Sequence, residues 1–400
     1  MKISERIAAI RPSATLEVTA RSIALRAQGV DVVDFGAGEP DFDTPEHIKQ
    51  AAVAALARGE TKYTPVAGSA ALRDAIVTKL RRDNGLEYAL GEVIASCGGK
   101  HALYNAFMAM FEPGDEVIVP TPYWTSYPDM LALAGVVSVL LPAPESRGFR
   151  IAADDLRQAI SERTRGFILN SPSNPTGAAY AESELRELVE VLREFPEVAV
   201  VSDDIYERMV YDGRDVPPHV GVIAPELRDR LVVTNSLSKT YAMTGWRLGY
   251  TAAPAFLVKA MATLQGQSTS NPTSIAQAAG VAALLGPQDC VTEMVAEFEK
   301  RRDFIVERLR SIPDLEVVKP DGAFYVFPNV GAYLGKRAGS TTIGTGTDLA
   351  VYLLEHANVA LVGGDAFGSP SHVRISYANS MENLARGCDR IGEALSCLEG

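Results

Sequence analysis

Five short runs in the middle of the chain are apolar without alternation: residues 116–119 (EVIV), 136–141 (VVSVLL), 166–169 (GFIL), 198–201 (VAVV) and 231–234 (LVVT). Runs of that length and uniformity predict strands covered on both faces of a sheet. Between them lie longer stretches with apolar residues at helical spacing, such as residues 182–194 (ESELRELVEVLRE). Strand and helix in repeated alternation imply right-handed crossovers and a mostly parallel α/β sheet. Asn271-Pro272 breaks the pattern, and one long helical region is expected from about 274 to 310. The C-terminal part adds a strand-like run at 323–327 (AFYVF), a glycine- and threonine-rich loop near 339–347 and two more helices. It reads as a smaller α/β domain completed by N-terminal residues. No internal repeat and no disordered low-complexity segment stands out.

Composition narrows the function classes. Of 400 residues, 47% are hydrophobic and 22% charged, the balance of an ordinary soluble globular protein large enough for two domains. The net charge of -12 disfavours nucleic acid and anionic membranes, but leaves small acidic ligands open because local cations in a pocket can outweigh a distant surface. Cys97, Cys290, Cys388 and Cys397 form no C-x-x-C pair, and the five histidines show no metal-ligand spacing, so neither a structural zinc nor a catalytic metal is expected. The N-terminus lacks a signal-peptide core, and no stretch is apolar enough to span a bilayer, so a reducing cytoplasm is the expected location.

Chemistry gathers where the predicted strands end. Lys239, in Asn235-Ser236-Leu237-Ser238-Lys239, follows the strand LVVT, at the place where open parallel sheets hold ligands. A lysine there forms a Schiff base if its surroundings free a neutral amine; otherwise it is a solvated surface group. Arg247, with Ser236 and Ser238, offers the guanidinium fork and hydroxyls that a phosphate dianion requires. Gly98 and Gly99 precede the helical run 101–111, and such a start can hold phosphate on backbone N–H groups or be a plain turn. Asn174 follows GFIL within Ser171-Pro172-Ser173-Asn174-Pro175, as an amide donor or as part of an Asn-Pro turn. Asp203, after VAVV, can pair with a protonated pyridine nitrogen, or Asp203-Asp204 can cap a helix.

In order and spacing these segments resemble the class I, fold-type I aminotransferases that use pyridoxal 5′-phosphate, and more closely their bacterial aspartate aminotransferase branch, some members of which accept prephenate. The resemblance runs from Arg11-Pro12-Ser13-Ala14-Thr15 and Gly36-Ala37-Gly38-Glu39-Pro40 to Val373-Arg374-Ile375-Ser376-Tyr377. It implies a large cofactor-binding domain over 45–290 and a small closing domain from 1–44 with 291–400. It implies that Lys239 holds the cofactor covalently and moves the proton, with Asp203 on the ring nitrogen and Asn174 and Tyr206 on the phenolic oxygen. Trp124 would stack on the ring; Gly98, Gly99, Lys100, Ser236, Ser238 and Arg247 would surround the cofactor. Tyr63 would reach the phosphate of the neighbouring subunit of a homodimer. Arg374 would clamp the substrate α-carboxylate with help from Asn174 and Gly38, while Lys100 and Thr15 would select a second carboxylate. The implied reaction moves the amino group of L-aspartate to 2-oxoglutarate by ping-pong kinetics. His101, where the branch more often has glutamine, and Ser270-Asn271-Pro272 leave prephenate or an aromatic amino acid open.

Three rival readings are weaker. Ser236-Leu237-Ser238-Lys239 contains the S-x-x-K of a serine acyl hydrolase, but the S-D-N and K-T-G elements that accompany it are missing. Neither Gly36-Ala37-Gly38 nor Gly344-Thr345-Gly346 completes a dinucleotide-binding G-x-G-x-x-G. A decarboxylase, lyase or synthase using the same cofactor differs in which bond stands perpendicular to the ring, which the sequence does not fix.

Overall fold

The computed structural model describes residues 1–399 apart from Ala9, Arg11 and Ser13, with the side chains of residues 14–16 also outside the description. The apolar runs pair into one seven-stranded sheet. Its strands are β1 (Val93–Ser96), β2 (Glu116–Thr121), β3 (Val137–Pro142), β4 (Thr164–Asn170), β5 (Ala199–Asp203), β6 (Leu231–Ser236) and β7 (Gly249–Ala252). Their spatial order is β1-β7-β6-β5-β4-β2-β3. Pairings among β2 to β6 are parallel, and β7 alone runs against its neighbours β1 and β6. The expected α/β architecture therefore holds, with one antiparallel strand inserted.

The sheet is buried where helices cover it from both sides; its edge strand β3, expected to be covered on both faces, instead leaves Val137 and Leu140 exposed because no strand pairs beyond it. Ile118, Phe167, Val200 and Val233 face one apolar cluster with helix Glu182–Glu194, while Val117, Ile168, Val201 and Val232 face a second with helix Gly99–Met110. Consecutive residues of one strand thus enter opposite clusters, which is why these strands read as uninterrupted apolar runs.

A second, three-stranded antiparallel sheet is built from β8 (Tyr325–Val326), β9 (Val362–Gly363) and β10 (Val373–Ser376), in the order β9-β10-β8. The N-terminal segment joins this part of the molecule: Val33–Asp34 pairs in parallel with Val359–Ala360, and Ser376 N donates to Phe35 O at 2.9 Å. Its core is a separate apolar cluster that includes Phe298, Phe324, Ile375 and Tyr377.

Two expected elements are corrected. The single helix over 274–310 is two helices, Ser274–Leu285 and Asp289–Arg310. Gly286 is extended between them, and Pro287 has no N–H to continue the ladder. The AFYVF run supplies only the two residues of β8, because Ala323 sits at φ 56° in the left-handed region and turns the chain before the strand starts. Among the described residues no helix is long and apolar enough to cross a membrane.

Candidate active site

Four parallel strands and β1 deliver their following loops to one edge of the main sheet. Residues 98–100 follow β1, Trp124 follows β2, Asn174 follows β4, Tyr206 follows β5 and Lys239 follows β6. Gly38 and Arg374 come from the second part of the molecule. Apart from Gly98, which stands immediately behind the wall, these residues line one cavity of about 360 Å³ together with Asp203, Ser238, Arg247 and Tyr325.

Lys239 donates to the carbonyl of Gly38. Burial lowers its pKa to about 8, the Glu39 carboxylate opposes this, and the charges of Arg374, Arg247 and Lys100 add to it. The amine is therefore partly neutral near physiological pH, as a nucleophile or base must be. Asp203 is buried at the end of β5, and Tyr127 Oη donates to its Oδ2 at 2.5 Å. Burial pushes its pKa up to about 7 against that hydrogen bond, and the neighbouring Asp204 raises it further. Among the described residues no cation pairs with this carboxylate. Asp204 is paired elsewhere, with His219 at 3.0 Å, so the two acids do different work and neither caps a helix.

Arg374 is wholly buried. Its Nη1 donates to Asn174 Oδ1 at 3.1 Å and its Nη2 to Gly36 O at 2.8 Å, while Nε has no partner among the described residues. Its guanidinium carbon lies 4.6 Å from the Tyr325 ring and 5.1 Å from that of Phe367. Asn174 is aimed by Asn170, whose Oδ1 accepts from Asn174 N at 3.0 Å and whose Nδ2 donates to Asp203 O at 2.8 Å. Tyr206 and Tyr325 join hydroxyls at 2.8 Å.

Part of the cavity wall is cationic and glycine-lined. Gly98 has φ 93°, and a Cβ built there falls 2.5 Å from Arg247 Nη2; one on Gly99 falls 3.2 Å from Ser236 Cβ. The helix Gly99–Met110 starts without a side-chain cap, so the donors of its first turn face this space without a side-chain acceptor. Lys100 Nζ lies 5.1 Å over the Trp124 ring, and Trp124 meets Tyr127 edge-on at 5.2 Å. Ser236 Oγ donates to Leu248 O at 2.9 Å and accepts from Ser238 N. A serine so tied into the backbone is no acyl-hydrolase nucleophile, which closes the S-x-x-K reading.

The cavity thus gathers Lys239, Asp203, Tyr206, Asn174, Arg374, Arg247, Ser238, Gly38, Gly99, Lys100 and Trp124, with Gly98 and Ser236 immediately behind. Tyr63 is elsewhere: it is 90% exposed and lines no part of the cavity. The Thr15 side chain lies outside the described residues. Three of the cavity residues that carried no sequence signal hold the others in place. Tyr127 sits one helical turn past Trp124, Asn170 ends β4, and Tyr325 lies in a two-residue strand; each gains its meaning from partners distant in the chain.

A group with a phosphate, a pyridine nitrogen and an aldehyde fits these residues. The glycine cradle with Arg247 and Ser238 suits the phosphate, the uncompensated Asp203 carboxylate suits a pyridinium, and the depressed Lys239 amine suits the carbonyl carbon.

Comparison with known proteins agrees. The sequence profile of aminotransferase class I and II matches residues 30–391. An aspartate aminotransferase of Rhizobium meliloti is 49% identical over 397 residues, covering 97% of this chain and 96% of that one. An aspartate/prephenate aminotransferase of Nitrosomonas europaea is 45% identical, covering 99% and 100%. Among solved structures, the Thermus thermophilus aspartate aminotransferase with maleate superposes with a TM-score of 0.92 at 42% identity, over 98% of this chain and 100% of that one. Cavity, fold and sequence lead to one assignment: the chain belongs to the class I and II aminotransferase family.

Proposed function

We propose that this protein moves the amino group of L-aspartate to 2-oxoglutarate, forming oxaloacetate and L-glutamate, with pyridoxal 5′-phosphate held on Lys239. The observation that carries the reading is the convergence on one cavity of a half-buried, partly neutral Lys239, a buried Asp203 and the buried Arg374 guanidinium. When bound, the cofactor supplies an electron sink for the pair left on the substrate α-carbon.

The chain's own residues do the rest. Arg374 takes the α-carboxylate as a two-pronged pair, its plane set by Asn174, Gly36 O and the flanking Tyr325 and Phe367 rings. Gly38 bounds the same end of the cavity. Lys239 Nζ removes the α-proton, for which a pKa of about 8 is well matched. Asp203, aligned by Tyr127, keeps the ring nitrogen protonated. Asn174 and Tyr206 donate to the phenolic oxygen; Trp124 stacks on the ring. Gly98, Gly99, Ser236, Ser238 and Arg247 hold the phosphate.

Lys100 and Thr15 are proposed to receive the side-chain carboxylate. The maleate of the Thermus structure is a dicarboxylate, and Lys100 sets an ammonium beside Trp124 at the cavity wall. Prephenate also carries two carboxylates, and the name of the Nitrosomonas relative makes it the second reading. We further propose a large domain over 45–290, a closing domain of 1–44 with 291–400, a cytoplasmic location, and a homodimer in which Tyr63 completes the partner's phosphate site.

The test is the visible spectrum of the protein loaded with pyridoxal phosphate, before and after excess L-aspartate with no keto acid present. A yellow band that bleaches supports the cofactor, the lysine linkage and the half-reaction together. A yellow protein indifferent to aspartate removes the substrate, and one that stays colourless removes the whole reading.

A further inference from the structure

Tyr325 touches both halves of the proposed machinery. It lies in β8, where its backbone pairs with Ser376, two residues past Arg374 on β10. The side chain is fully buried, and the Arg374 guanidinium carbon stands 4.6 Å from its ring. Its hydroxyl is 2.8 Å from that of Tyr206 and only 3.1 Å from where a side chain on Gly38 would begin. One aromatic residue therefore borders the clamp, the cofactor-facing tyrosine and the glycine segment beneath the substrate.

Hydrogen counting gives this contact a direction. Each phenol carries one hydrogen, and burial keeps both phenols protonated. If Tyr206 spends its hydrogen on an oxygen in the cavity, the 2.8 Å contact is filled only by the hydrogen of Tyr325. A hydroxyl that accepts one hydrogen bond donates the next more strongly. The Arg374 cation beside the Tyr325 ring also favours donation from its hydroxyl.

We propose that Tyr325 is a positioning residue that ties the Arg374 clamp to Tyr206, its hydroxyl donating to Tyr206 so that Tyr206 donates more strongly to the cofactor's phenolic oxygen. This rests on the reading of Lys239 and Tyr206 given above. It is distinct from packing, because Phe at 325 keeps the ring on Arg374 and removes only the hydrogen bond.

The experiment is a pH titration of the visible band of the pyridoxal phosphate-loaded wild type, Tyr325→Phe, Tyr206→Phe and the double variant. Loss of one relayed hydrogen bond should raise the spectroscopic pKa of Tyr325→Phe by roughly half a unit. Tyr206→Phe should raise it further, and the double variant should match Tyr206→Phe alone, since the relay has no other route. A Tyr325→Phe titration that overlays the wild type, or a double variant whose shift equals the sum of the two, overturns the inference. A wild type that develops no visible band overturns the reading of the cavity itself.

Discussion

Burying the Asp203 carboxyl pushes its pKa from 3.8 up to about 7, even though the Tyr127 hydroxyl holds it down. A carboxyl that ionises less readily in the fold than in the unfolded chain binds extra protons in the fold. The cofactor-free protein therefore loses stability from this group as pH rises from about 4 to about 7. Asp203→Asn keeps the shape and removes the charge. At pH 8, with no cofactor, that variant should be more stable than the wild type by on the order of a few kcal/mol. The gain should shrink steadily as pH falls from about 7 toward 4. Urea unfolding of both cofactor-free proteins across that range measures it, and a difference independent of pH would show that Asp203 is not strained by its burial. Once a pyridinium supplies the missing cation the order should reverse, so the same residue weakens the empty fold and strengthens the loaded one. Lys239 behaves in the mirror sense. Its folded pKa is depressed to about 8, so its contribution to the empty protein improves only as pH rises from about 8 toward 10.5.

At the scale of elements, the loop between β1 and the helix Gly99–Met110 shows how backbone geometry serves the site. Gly98 has φ 93° and ψ 165°, a conformation essentially closed to residues with a Cβ. A methyl group there would also press on the Arg247 guanidinium. Gly98→Ala should therefore weaken pyridoxal phosphate binding on the order of a hundredfold, through strain together with displacement of a charge-assisted phosphate contact. Titrating the cofactor-free variant with pyridoxal phosphate reads this directly, and unchanged affinity would take this loop out of the phosphate cradle. The same scale explains what was legible in the sequence. β2, β4, β5 and β6 read clearly because helices cover both faces and each residue in the run must be apolar, whereas β3 is an edge strand whose Val137 and Leu140 are exposed. Lys239, Asp203 and Asn174 were legible because each lies at or just past the end of such a strand. β8 and β9 were not, since two-residue strands pair through partners elsewhere in the chain and leave no periodicity. Tyr325 stayed hidden for that reason, since an aromatic in an apolar run looks like core until the fold sets Tyr206 beside it, and Tyr127, in the helix Ser126–Leu133, gains its meaning only from Asp203 far along the chain.

For the whole molecule, the outstanding question is what covers the face that carries Tyr63. That side chain is 90% exposed, and Val53, Leu56 and Leu285 on the neighbouring helices Glu46–Ala57 and Ser274–Leu285 are also exposed. In the homodimer proposed above, a two-fold axis would give such exposed apolar side chains a second copy of the chain to pack against. If Tyr63 completes the partner's phosphate site, two crippled chains can repair each other. Lys239→Ala has lost its own lysine but still presents an intact Tyr63. Tyr63→Asp keeps its lysine but presents a carboxylate to the phosphate it should bind. Each variant alone should turn over poorly, the first for want of the amine and the second through charge repulsion. In a mixed dimer, one of the two sites combines Lys239 from one chain with Tyr63 from the other and is whole, while the second site carries both defects. Random reassortment places half the chains in mixed dimers, so unfolding and refolding the two variants together should restore about a quarter of the wild-type sites. Recovery measured as aspartate turnover per mole of chain, against each variant refolded alone, tests the arrangement. Turnover no greater than the mean of the separate variants would mean that each chain completes its own phosphate site.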